Sequence, residues 1–159
     1  VTTGPQLEFG AASTDFEEES LMSYAGDIDP AQAWDLLREH PDAVLVDVRT
    51  EAEWRFVGVP DTSPIERPTA LIEWVDLAGA RNPQFVEQLG RVLAEQDPEA
   101  PVIFICRSGQ RSIAAAVVAT EAGFGPAYNV TEGFEGPLDA DGHRGGAGWR
   151  ARGLPWRQS

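Results

Sequence analysis

The stretch Val102-Ile103-Phe104-Ile105-Cys106-Arg107-Ser108-Gly109-Gln110-Arg111-Ser112 changes character at its cysteine. Before Cys106 stand four consecutive β-branched or aromatic residues, a run that predicts a strand buried on both faces. After it come polar residues and one glycine, and then Ser112–Ala122, apolar almost all round, which predicts a well-buried helix closed by Gly123. A strand that enters a helix through so short a turn brings its own C-terminal end, the turn and the helix N-terminus to one place. Successive N–H groups of the turn face inward and form a nest for an anion. The helix adds unsatisfied N–H groups and positive partial charge, and Arg107 and Arg111 add two full positive charges. All three effects favour an anion there, the thiolate of Cys106 included. Gly109 allows the tight turn. Ser112 can cap the helix or donate to whatever anion the turn holds.

Outward from this stretch, the same kind of signal repeats. Asp29-Pro30-Ala31-Gln32 is a helix start, with Asp as N-cap, Pro at the first helical position and Gln at the third. Ala33, Leu36 and Leu37 supply its apolar face, and Pro41 stops it. Ala43–Val48 predicts a second buried strand. Arg49–Arg67 shows no clean period and predicts a long loop, and Leu71–Leu77 fits either a strand or a short helix. Asn82-Pro83 repeats the cap-then-proline signal ahead of a helix whose face is Phe85, Val86, Leu89, Val92 and Leu93. Ala127–Val130 predicts a third strand, and a Gly-, Trp- and Arg-rich segment follows. Strands alternating with helices predict an α/β domain: a central parallel sheet with helices on both faces. Ligands of such sheets bind beyond the C-terminal strand ends, where Cys106 stands.

Composition narrows the chemistry. The chain has 159 residues, one cysteine, two histidines and a formal net charge of −14. One domain accounts for that length. A single cysteine excludes an internal disulfide and a Cys-rich zinc site, and His40 and His143 are too few for a multi-histidine site. All twelve basic residues are arginine, which excludes Schiff-base and P-loop lysines. The acidic balance opposes binding to nucleic acid and anionic membranes. No apolar stretch approaches the ~20 residues that span a bilayer, and the first residues, without a positive and then an apolar region, do not read as a secretory signal. The expected location is the cytoplasm, where a lone thiol stays reduced. Residues 1–24 have little apolar periodicity and end in an acidic run, so they are expected to form a flexible acidic arm ahead of a domain spanning 25–159.

Cys106–Ser112 resembles the active-site loop of the rhodanese-type sulfurtransferases. Asp47-Val48-Arg49 resembles the "DVR" of that family, and Glu53-Trp54 and Gly58-Val59-Pro60 stand where the family has a Glu-aromatic pair and a Gly-His-Ile-Pro segment. Gly133-Phe134 matches its glycine-aromatic step after the last strand. The resemblance covers Asp27–Pro155. Val59 replaces the family's histidine and Glu132 one of its paired glycines. Together with a long insert around Pro64–Gly79 and the Trp/Arg tail, these departures point to an atypical subfamily.

The resemblance implies that Cys106 takes a sulfane sulfur from thiosulfate or a related persulfide donor and carries it as a persulfide. A thiol, sulfite, cyanide or a protein acceptor would then remove it, with no metal and no organic cofactor. Arg107, Ser108, Gly109, Gln110, Arg111 and Ser112 would bind the small anionic donor, with Asp47 and Arg49 as a supporting pair and Glu53 pairing with an arginine. Trp74, Trp149 and Trp156 could wall the site, and Arg144, Arg150 and Arg152 could extend its positive field. Two other chemistries suit a reactive cysteine loop. A cysteine phosphatase or arsenate reductase needs five residues between Cys and Arg, whereas four stand here. A non-catalytic or redox-sensing binding module would keep the thiol for oxidation.

Overall fold

A computed structural model describes residues 24–158. The expected acidic arm, apart from Tyr24, lies outside the described residues. Five parallel strands form the central sheet in the order β1 (Gly26–Ile28), β6 (Ala127–Val130), β5 (Val102–Ile105), β2 (Val44–Asp47) and β4 (Thr69–Leu71). Each parallel neighbour needs a crossover, and helices supply most of them: α1 (Pro30–Glu39), α3 (Phe85–Leu93) and α4 (Arg111–Glu121). A short α2 (Glu51–Phe56) follows β2, and a two-stranded ribbon pairs β3 (Val59–Pro60) antiparallel with β7 (Trp156–Arg157). No helix among the described residues is long and apolar enough to cross a membrane.

The two-residue period of the central strands divides the core. Val44 and Val46, with Val102, Phe104 and Cys106, face α3 and α4 through Phe85, Leu89, Ala115, Ala116 and Ala119. Leu45, Ile103 and Ile105 face α1 and the C-terminal segment through Ala33, Leu37, Phe134 and Trp149. Burial on both sides explains why these strands read as unbroken apolar runs. The α1 start is the capping box its sequence specifies: Asp29 Oδ1 accepts from the Gln32 amide, and Gln32 Oε1 accepts from the Asp29 amide.

Several expectations need correction. The loop expected over Arg49–Arg67 contains α2, nucleated by a second capping box in which Thr50 and Glu53 satisfy one another's amides. It also contains β3 and a 3-10 turn, Ser63–Ile65. Leu71–Leu77, expected as either a strand or a short helix, forms neither: β4 ends at Leu71. The chain beyond is an irregular turn tied to β2 by bonds from the Ile72 amide to the Asp47 carbonyl and the Trp74 amide to the Val48 carbonyl. Asn82 does not cap α3. Its Oδ1 accepts from the Gln84 amide, so the helix begins after that turn, at Phe85. Val86 of the expected apolar face is exposed. The α4 helix is fully buried only along Ser112, Ala115, Ala116 and Ala119, with its other faces half-buried up to Thr120. Strand β1 carried no signal: three residues, one glycine and one aspartate make no pattern.

Candidate active site

Register sets the location. Asp47 lies opposite Ile105, so the C-terminal ends of β2 and β5 finish level, and Cys106 is the first residue beyond. The loop from Arg107 to Gln110 curls around the sulfur. The Gly109 amide donates to Cys106 Sγ at 3.2 Å and the Ser112 amide at 3.4 Å, while Ser112 Oγ lies 3.2 Å away. Gly109 has φ +99°, and a Cβ there would press into the Thr131 carbonyl, so only glycine fits. Cys106 is 1% exposed.

A second segment holds the loop from behind. The Phe134 amide donates to the Cys106 carbonyl at 2.8 Å, and the Glu135 and Gly136 amides donate to the Arg107 carbonyl at 3.0 and 3.2 Å. This approach is possible because Gly133, at φ +67°, has no side chain. A Cβ there would lie 2.5 Å from the Arg107 carbonyl. Phe134 in turn lies beneath the guanidinium of Arg49, 4.3 Å from its ring centroid.

The pairs around the loop are specific. Asp47 and Arg49 are both fully buried. Arg49 Nη2 donates to Asp47 Oδ2 at 2.7 Å and to the Gly58 carbonyl at 2.7 Å. They form an internal strut joining β2, the β3 approach and Phe134, and Arg49 does not reach solvent. Arg111 donates through both terminal nitrogens to Glu53, at 2.8 and 2.9 Å. Burial pushes the Glu53 carboxyl up, but the hydrogen bonds from Arg111 and Thr50 outweigh it and hold the carboxyl down at about 2. The same bond to Glu53 raises Arg111 further. Arg111 therefore contributes its charge to the sulfur's surroundings as half of an ion pair, and it is the arginine that Glu53 holds.

A basin of about 590 Å³ opens beside the loop, lined by Arg107, Arg111, Arg144, Glu53, Glu135 and Leu77, among others. Arg107 is exposed, Ser108 half-buried and Gln110 exposed. Gln110 occupies the α4 N-cap position without a side-chain bond. Ser112 lies inside the helix and caps nothing. It donates to Asn129 Oδ1 instead. The tryptophans are not walls of this basin. Trp74 packs on Phe85 and lies under Arg81, Trp149 is core and donates to the Pro155 carbonyl, and Trp156 sits in β7. Arg144 does line the basin. Arg150 reaches Phe134 and Trp156, Arg152 pairs with Glu132, and His143 is exposed and does not line the basin.

The sequence matches the rhodanese-like domain family over residues 29–139. This chain belongs to that family. A rhodanese-like assignment agrees with its relatives. It is 30% identical over 129 residues to the thiosulfate sulfurtransferase GlpE of Actinobacillus pleuropneumoniae, covering 81% of this chain and 90% of that one. It is 32% identical over 126 residues to an uncharacterized protein of Rickettsia conorii, covering 79% and 92%. The crystal structure of Rv0390 from M. tuberculosis superposes with a TM-score of 0.77 at 61% identity, over 86% of this chain and 99% of that one. A likeness of fold extends to the polysulfide-sulfur transferase homodimer of Wolinella succinogenes, with a TM-score of 0.58 at 24% identity, over 96% of this chain and 91% of that one.

Within this rhodanese-like domain, the sequence pattern had not singled out Asn129, Asp27, Glu135 or Leu77. Asn129 carried a usable signal. A polar amide in an otherwise apolar buried strand needs a partner, and that partner has to be close to the strand end.

Proposed function

We propose that this protein is a sulfurtransferase in which Cys106 carries a sulfane sulfur as a persulfide. The observation behind this reading is the pair of amides, Gly109 of the loop and Ser112 in the first turn of α4, aimed at Sγ from 3.2 and 3.4 Å at the C-terminal end of a buried strand. Fixed N–H dipoles that converge on one sulfur favour negative charge there and need no rearrangement as charge develops. The Cys106 thiolate attacks the outer sulfur of thiosulfate or of an organic persulfide. The Sγ–S bond forms, the donor's S–S bond breaks, and sulfite or the donor thiolate leaves with the bonding electron pair. An acceptor nucleophile (a thiolate, sulfite or cyanide) then attacks the outer sulfur, and Cys106 departs with its electron pair as the thiolate. No other cysteine is present, so the acceptor comes from outside the chain.

Arg107, exposed at the basin, takes the anionic end of the donor. Arg111, held by Glu53, fixes the loop and supplies a secondary, partly compensated field. Asp47 and Arg49 keep Phe134 and the loop in place without touching substrate. The spacing of four residues between Cys106 and Arg111 leaves a ring that suits one sulfur atom rather than a tetrahedral phosphate.

Intact mass after incubation with thiosulfate, and separately with an organic persulfide, tests this reading. Wild type is expected to gain one sulfur atom and Cys106→Ser none. No gain from either donor overturns it, as does hydrolysis of an aryl phosphate that disappears in Cys106→Ser.

A further inference from the structure

Behind the sulfur runs a line of polar groups that the transfer chemistry above does not use. Ser112 Oγ, fully buried on α4, lies 3.2 Å from Cys106 Sγ and donates to Asn129 Oδ1 of β6. Asn129, 1% exposed, donates through Nδ2 to Asp27 Oδ1 of β1 at 3.1 Å. Asp27 and Asn129 are register partners across the β1–β6 pair. Tyr24 also donates its hydroxyl to Asp27 Oδ1, at 2.8 Å.

The direction of this line follows from donor and acceptor inventory alone. The Asp27 carboxylate only accepts, so it takes the NH2 side of the Asn129 amide. The Oδ1 side then faces Ser112, and because that oxygen also only accepts, Ser112 must donate to it. A serine hydroxyl has one proton. While that proton is on Asn129, Ser112 presents only lone pairs to the sulfur. It can accept from a Cys106 thiol, but it cannot donate to a thiolate.

We propose that Asn129 and Asp27 are positioning residues that withhold the Ser112 proton from the sulfur except when Sγ itself bears charge. This rests on the sulfurtransferase reading for its role in turnover. When Sγ is a neutral thiol, or the inner atom of a persulfide whose charge sits on the outer sulfur, the hydroxyl bonds Asn129. When Sγ becomes a thiolate, as it does when it leaves toward the acceptor, rotation of one O–H brings a charge-assisted bond to it at the expense of a neutral one. The hydroxyl thus strengthens its hold on the departing sulfur more than on the persulfide, which is differential stabilisation in the sense catalysis requires. The other charged groups around the sulfur are Arg107 of its own loop and Arg111 at the start of α4, with Glu53 from α2 and Asp47 from β2 facing Arg111. None of them lies on the Ser112–Asn129–Asp27 line.

The test is the rate of Cys106 alkylation by iodoacetamide as a function of pH, which reads the thiolate whether or not the protein moves sulfur. Asn129→Leu removes the competing acceptor. Its alkylation on the acid limb of the profile is expected to be about three- to tenfold faster than wild type, the value of one released neutral hydrogen bond. Asp27→Ala, at an exposed position, lets the Asn129 amide turn over and is expected to act in the same direction while leaving the fold intact. Ser112→Ala is expected to slow alkylation, and in the Ser112→Ala background both other substitutions are expected to have no effect. A structural disturbance would persist in that background. Unchanged or slower alkylation in Asp27→Ala, or an Asn129→Leu effect that survives Ser112→Ala, overturns the proposal. If the cycle behaves as expected but neither thiosulfate nor a persulfide loads Cys106, the positioning line stands and the sulfurtransferase reading falls.

Discussion

Replacing Glu53 with glutamine keeps the shape of the side chain and an acceptor for the Thr50 amide, and removes one charge from the pair with Arg111. The Glu53 carboxyl titrates at about 2 in the folded protein against an ordinary 4.5. That difference alone corresponds to about 3 kcal/mol at neutral pH. Glu53 and Arg111 keep 19% and 25% of their side-chain surface in water, so screening reduces the figure. About 1–2 kcal/mol is the stability expected to be lost near pH 7. Because the folded-state value is depressed, the contribution is complete above about 4.5 and fades as pH falls toward 2. At about pH 3, roughly two fifths of it remains. Denaturant unfolding of wild type and Glu53→Gln at both pH values measures this directly. The gap between the two proteins is expected to shrink on acidification. A gap that is absent near neutrality, or of equal size at both pH values, refutes the account of this ion pair.

Three further outcomes follow from the same geometry. Gly133→Ala places a methyl 2.5 Å from the Arg107 carbonyl at a positive φ, and is expected to cost at least about 2 kcal/mol in thermal unfolding and to abolish sulfur loading of Cys106. Asp47→Ala strands a fully buried guanidinium and is expected to cost about 3–5 kcal/mol, measured by denaturant midpoint. Arg107→Ala, at an exposed position, is expected to raise KM for thiosulfate about tenfold while leaving the melting temperature unchanged. A melting shift as large as that of Asp47→Ala would show that Arg107 is part of the scaffold.

What the sequence made legible is local. Asp29-Pro30-Ala31-Gln32 specifies a cap within one turn of helix, and the apolar runs at Val44 and Val102 need no context to be read as buried strands. Thr50 and Glu53 form the same kind of cap, at the same spacing, but glycine and prolines farther along the segment obscured it. The cysteine loop was legible because turn, charge and helix start are contiguous. The pair that governs its charge was harder to specify, since Glu53 and Arg111 are 58 residues apart and twelve arginines compete for the carboxylates. The tryptophans misled for a related reason. An indole is as good a core residue as a pocket wall, and only packing against Phe85 or the Pro155 carbonyl decides. Strand β1 was silent because three residues cannot show a period. It exists because β6 offers an edge.

The arrangement of the sheet also sets an order in time. Cys106 and its loop are made well before the segment at Gly133–Gly136 that holds them, and the ribbon at Val59 is not paired until Arg157 has been synthesised. Contacts of such long sequence separation form late and slowly. A chain in which these contacts are unformed carries its one thiol on a loop without its supports. In that state the sulfur lacks the fixed Gly109 and Ser112 amides of the folded site and reacts as any free cysteine does. The environment of Cys106 is thus a property of the closed domain and not of its loop alone.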